Sequence, residues 1–188
     1  SLYFDGIQNH ALFDKDDGIF GREKYRIRIY NGSDAIIRLE RKSKYGDYVS
    51  KEGVPLSREE YDAILNWQYD VLKQRSEPLI QDFYEALQYR HFKPAVIVDY
   101  IREAYVYEPG NVRITFDKEL KAVVNGIDLF SDFNVYEHIL YPEQVILEVK
   151  FDHFLPDQIR QLIQPERFFR SAISKYVLCR ERTIQYFK

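Results

Sequence analysis

The chain has 188 residues, with 27 Lys and Arg against 30 Asp and Glu, a formal net charge of −3 and 45% hydrophobic residues. That length suits one domain that buries about 70% of its unfolded surface, and the acidic excess argues against a general nucleic-acid binder. A single cysteine, Cys179, excludes an internal disulfide framework and fits a reducing, cytoplasmic setting, while no apolar run approaches the ~20 residues of a bilayer span.

The sequence opens on "SLYFDG", which reads as the middle of a strand, and it contains no methionine. "YRIRIY-NGSD-AIIRLERK" reads as a hairpin turning at Asn31-Gly32, a pair that tolerates positive φ. "PLSREEYDAILNWQYDVLKQRS" predicts a helix. Ser57 and Glu60 form a capping box, and Tyr61, Ile64, Leu65 and Leu72 fall on one face. "SEPLIQDFYEALQYRH" predicts a second helix, opened by Ser76 and Pro78. "VIVDYIREAYVY-EPGN-VRITFDKEL" reads as a hairpin through Pro109, Gly110 and Asn111, and "KAVV-NG-IDLF" as a shorter one through Asn125-Gly126. "QVILEVKFD" is a further strand, and "PDQIRQLI" and "RFFRSAISKYVLCRE" are helical candidates. About seven antiparallel strands with interposed helices, and no βαβ rhythm, give one α+β domain over residues 1–188.

Strand parity sorts the charges. Lys24, Arg26 and Arg28 share one face, and so do Arg38, Glu40, Lys42 and Lys44 on the next strand. Arg102 lies with Val98 and Tyr100, Arg113 with Thr115 and Asp117, and Glu148 with Lys150. An antiparallel sheet with one wet face is the ordinary explanation. However, a wet face mixes both signs with Ser, Thr and Gln, whereas this one is heavily cationic and rich in arginine. The opposite faces carry Tyr25, Ile27, Ile29, Ile37 and Leu39, apolar enough to need a cover of helices. A sheet curled with helices outside would place the cations inside, where only a polyanion would offset their repulsion. Carboxylates in the set, together with phosphate oxygens, could hold a hard divalent cation.

In order along the chain, "SLYFD", "REKYRIRIYNG", "IRLERKSK", "VSK", "YIREAY", "NVRITFDKEL", "VILEVKFD" and "SKYV" resemble the VTC domain. This is the polyphosphate-polymerase domain of the vacuolar transporter chaperone type, in the triphosphate tunnel metalloenzyme (CYTH-like) superfamily. The resemblance implies an antiparallel β-barrel forming a tunnel, helices packed outside, and a cationic lumen. It implies transfer of the terminal phosphate of ATP onto a growing inorganic polyphosphate chain, with Mn²⁺ or Mg²⁺ as cofactor. The family's phosphate-binding residues map onto Arg26, Arg28, Lys51, Arg102, Arg113 and Ser174, and its charge-stabilising lysines onto Lys42 and Lys175. Lys24 and Arg38 join the phosphate-binding set by strand parity. Glu148 matches the family's metal-binding glutamate, and Glu40 is a second metal candidate.

Two departures stand out. Ala172 occupies the place of another lysine, a contact that Arg170 could take over, and the family's first strand is expected before Ser1. Neither a nucleic-acid partner nor a membrane span is expected in this chain. His10, His91, His138 and His153 show no ligand spacing. The same residues would serve a tripolyphosphatase or a nucleoside triphosphatase, or a polyphosphate-binding module without catalysis.

Overall fold

A computed structural model describes residues 1–7, 9, 12, 22–46, 48–164 and 171–184. Its strands are β1 (Leu2–Asp5), β2 (Arg22–Tyr30), β3 (Ser33–Tyr45), β4 (Tyr48–Leu56), β5 (Lys93–Tyr107), β6 (Val112–Val123), β7 (Tyr136–His138) and β8 (Ile146–Lys150). Its helices of eight to eleven residues are α1 (Arg58–Leu65), α2 (Pro78–Gln88) and α4 (Lys175–Ile184), with a shorter α3 (Asp157–Ile163) between the last two. The strands form one antiparallel eight-stranded sheet in the order β4-β3-β2-β1-β5-β6-β7, with β8 also paired to β6. The α+β class and the antiparallel sheet match expectation. The described strands do not close into a barrel, because β4 and β7 each have one strand neighbour.

Alternation builds a core on each side of the sheet. On one side Leu2, Phe4, Tyr25, Ile27, Ile37 and Leu39 are buried against Tyr61 and Ile64 of α1 and Ile80, Phe83 and Leu87 of α2. On the other side Val96 and Val98 of β5 and Leu120 and Ala122 of β6 pack on Tyr176 and Cys179 of α4. This second layer differs from the expected arrangement of helices only outside a lumen: α4 lies on the same side as the strand cations. A bulge in β6 makes this possible. Asp99 pairs with Lys121 but Ile101 with Lys118, and Glu119 takes a positive φ of 49°. The extra residue switches parity, so Asp117, Thr115 and Arg113 continue on the side where Leu120 and Ala122 meet α4.

Several element ends differ from the sequence reading. The first helix stops at Leu65. Trp67 turns left-handed at φ 62°, and a 3₁₀ segment at Tyr69–Gln74 follows. The second begins with Glu77 at the N-cap position, and Ser76 plays no capping role. The expected Asn125-Gly126 hairpin does not form. The Asn125 amide bridges the loop, donating to the Phe133 carbonyl at 2.8 Å and accepting from the Val135 N–H at 2.7 Å, and the returning strand is β7. The final helix starts at Lys175. Part of the predicted segment, Arg170 included, lies outside the described residues, as does His10.

Candidate phosphate-binding face

The register of β2, β3 and β4 sets like charges directly opposite one another. Lys24 pairs with Lys42 and Lys42 with Lys51; Arg28 pairs with Arg38. Like charges in directly opposed positions destabilise a sheet. Between the two cationic rows, Arg26 faces Glu40, with Nε–Oε2 at 2.7 Å, and its Nη1 donates to the Tyr3 hydroxyl at 2.9 Å. Burial works against the Arg26 charge, but Tyr3 and Glu40 outweigh it and hold the pKa above the usual arginine range. Arg28 reaches Glu40 only at 3.9 Å, and Arg38 donates to the Gly53 carbonyl at 3.0 Å. The Lys24 ammonium sits over the Tyr176 ring at 4.9 Å.

The second half of the face is built from β5, β6, β8 and the start of α4. Asp117, fully buried, accepts both ends of the Arg102 fork, at 2.6 and 2.8 Å, and an ion pair from Lys175. Burial alone would raise the Asp117 pKa; Arg102 and Lys175 outweigh it and hold the carboxyl below the usual range. Tyr100 joins the two halves. Its hydroxyl accepts from Arg28 Nη2 at 2.7 Å, while Arg102 and Lys175 lie over its ring at 5.3 and 5.0 Å. Arg113 is exposed and stands opposite Lys150, with which it lines a surface cavity of about 580 Å³.

Glu148 pairs with Lys150 at 3.1 Å. Burial raises its pKa, but Lys150, Arg102 and Lys175 bring it below the usual range. Ser174 accepts the Val177 N–H at 3.4 Å and so caps α4. Burial, then Lys150 of β8 and Lys42, lower the pKa of Lys51 on β4, and Glu148 opposes them.

Lys24, Arg26, Arg28, Arg38, Glu40, Lys42 and Lys51 thus gather on one half of the face, and Arg102, Arg113, Glu148 and Lys175 on the other, linked through Tyr100. The sequence assigned Tyr100 no role in the site, and parity set Asp117 in a row with Arg113 and Thr115. The parity of "YIREAY" already set Tyr100 beside Arg102, and this is the signal that could have found it. Among the described residues no group of three or more His, Cys, Asp or Glu could hold a metal ion. A cation here would have to draw most of its oxygen ligands from phosphate, and one carboxylate such as Glu148 fits that arrangement.

The strands thus set their cations, with a few paired carboxylates among them, on one face of an antiparallel sheet. The model of one family, the VTC domain, matches residues 1–184. The chain belongs to that family, as its strand motifs led one to expect. Comparison with curated proteins and with solved structures gave no match.

Proposed function

We propose that this domain is a polyphosphate polymerase. It transfers the terminal phosphate of ATP onto an inorganic polyphosphate chain, inside a tunnel formed when the curled sheet closes around its ligand. The observation that carries the reading is the pair of register-matched cationic rows, Lys24–Lys42–Lys51 and Arg28–Arg38, on a face continuous with Arg102, Arg113 and Lys175. Membership of the VTC family supports the same substrate class.

Phosphoryl transfer asks a protein mainly for alignment and charge neutralisation. A terminal oxygen of the phosphate chain attacks the γ-phosphorus of ATP, and the bond to the β–γ bridging oxygen breaks to leave ADP. Arg26, Arg28, Arg102 and Arg113 bind phosphate oxygens through planar forks that suit bidentate contact. Lys24, Arg38, Lys51 and Ser174 extend this contact along the chain. Lys42 and Lys175 neutralise charge that builds on the transferring group. Glu148, with Glu40 as a second carboxylate, would hold Mn²⁺ or Mg²⁺. That ion would supply further neutralisation of the phosphate oxygens.

The pairing of Glu148 with Lys150 favours a second reading, in which the face binds polyphosphate without catalysis. Incubating the protein with ATP and Mn²⁺, and resolving the products on a polyphosphate gel, separates the two. Long chains are expected. Released orthophosphate alone would identify a phosphatase, and absence of turnover despite tight polyphosphate binding would overturn the enzyme reading. Glu148→Gln should cut turnover by about 100-fold or more while tripolyphosphate binding survives, because the arginines are untouched.

A further inference from the structure

We infer that Asp117 is a positioning residue of this site: it fixes Arg102 and Lys175 in one arrangement and limits how tightly the face holds phosphate. This inference rests on the function proposed above.

Asp117 is fully buried, yet it stands on the cationic side of the sheet. It faces Arg102 in register across β5 and β6, and the two make a bidentate pair with Nε–Oδ1 at 2.6 Å and Nη2–Oδ2 at 2.8 Å. The same Oδ2 takes Lys175, the first residue of α4. One carboxylate therefore ties a strand cation to a helix-end cation that lies 73 positions away along the chain. The cluster holds two positive charges and one negative, so it stays cationic. Both partners keep donors in reserve: Arg102 uses Nε and Nη2 and leaves Nη1, and the Lys175 ammonium has three N–H groups. The Tyr100 ring, between Arg102 at 5.3 Å and Lys175 at 5.0 Å, restricts both side chains further.

A separate observation points to an occupant beside this cluster. Thr115 lies two residues before Asp117 in β6, opposite Glu148, and is 2% exposed. Its buried hydroxyl has no hydrogen-bond partner among the described residues. A buried hydroxyl without a partner is costly, and a phosphate oxygen or a water carried with it would remove that cost. Arg102, Lys175 and Thr115 then form a cradle whose geometry Asp117 sets.

The two effects of Asp117 have opposite signs. Its negative charge weakens attraction for phosphate, whereas its hydrogen bonds hold the cations where transfer needs them. A purely structural residue would lower binding and turnover together. The test compares the wild-type protein with Asp117→Asn, Asp117→Glu, Lys175→Ala and the Asp117→Asn/Lys175→Ala double variant. The dissociation constant for tripolyphosphate is measured at low salt, alongside polyphosphate formation from ATP with Mn²⁺ and the melting temperature.

Asp117→Asn should bind tripolyphosphate about 3-fold or more tighter and turn over about 10-fold or more slower. Asp117→Glu keeps the negative charge. It should bind within about 3-fold of wild type yet lose turnover, because one methylene displaces both cations. The turnover loss from Asp117→Asn should shrink in the Lys175→Ala background, where one of the two positioned cations is absent. Wild-type turnover and affinity in both Asp117 variants would overturn the inference. So would equal losses of affinity and turnover that track a lowered melting temperature in Asp117→Glu. If the wild-type protein fails to bind tripolyphosphate, the phosphate-binding reading falls and this inference falls with it. If it binds without turnover, only the polymerase reading falls, and tighter binding by Asp117→Asn still decides the affinity role of Asp117.

Discussion

Arg41 and Arg26 lie in neighbouring strands of the same hairpin, yet they serve opposite faces. Arg41 points to the helix side, where it bonds Asp82 at 2.6 Å, Glu52 at 3.1 Å and the Tyr25 hydroxyl at 3.5 Å, and pairs with Glu23 at 3.5 Å. It ties β2, β3 and β4 to α2. Arg26, on the other face, has one carboxylate partner, Glu40, and a tyrosine. Arg41→Ala should therefore lower stability by about 1–3 kcal/mol, because Glu52 and Asp82 lose a partner and Glu23 keeps only Arg90. It should leave tripolyphosphate affinity unchanged. Arg26→Ala should weaken that affinity by about 10-fold or more, since a fork contact to phosphate is lost. Denaturant unfolding and phosphate titration on the same two variants check both statements. Loss of phosphate affinity in Arg41→Ala would contradict the assignment of faces. Parity in the sequence already separated the two arginines, but it could not say that three acids converge on one of them, since Asp82 comes from a helix 41 residues along.

At the level of elements, α1 and α2 are pinned by one arginine. Arg75 donates to Glu60 at 2.7 and 2.9 Å and to Glu77 at 3.0 Å. Glu60 also accepts from the Ser57 N–H at 2.8 Å, completing the capping box, and Glu77 stands at the N-cap position of α2. Hydrogen bonding from Arg75, with help from backbone N–H groups, lowers the Glu77 pKa to about 2. A carboxylate depressed in the folded state adds stability above its unfolded pKa of about 4.3, and that contribution is lost as the pH falls toward 2. Glu77→Gln should thus be less stable than wild type at neutral pH, with the gap closing between about pH 4 and pH 2. Melting curves of both proteins across that range check it, and a gap that persists at the acid end would show that the carboxylate charge is not the cause. The capping box was legible because it is local, spanning Ser57 to Glu60. The break after Leu65 was not, because Leu65, Tyr69 and Leu72 keep helical spacing while the backbone turns left-handed at Trp67.

For the whole molecule, the decisive feature is that β4 and β8, far apart in the strand order, feel each other's charges. Burial, Lys150 and Lys42 lower the pKa of Lys51, and Glu148 opposes them. A polyanion bound along the cationic side would engage several cations at once. Tripolyphosphate should therefore bind more tightly than orthophosphate. Its affinity should fall by about 10-fold or more between about 50 and 200 mM salt, by analogy with counterion release from nucleic-acid phosphates. Calorimetric titration at the two ionic strengths measures this directly. A salt-independent dissociation constant would mean that the cationic rows are not used together. No described helix is long and apolar enough to cross a membrane.

The antiparallel α+β class, the strand faces and the family were legible in the chain alone, because a period of two and hairpin turns such as Asn31-Gly32 are local properties. The sequence also carried the charged rows of the candidate site. Which cations are already partnered depends on the folded arrangement. Asp117 meets Lys175, and Arg28 meets Tyr100, across 58 and 72 positions, and such pairings depend on how strands are ordered and where a sheet bulges. The bulge at Glu119 is the clearest case. One extra residue turns Leu120 and Ala122 toward α4 while Asp117 and Arg113 keep facing the cations, and no alternation pattern announces it, since the parity on either side of the bulge is regular.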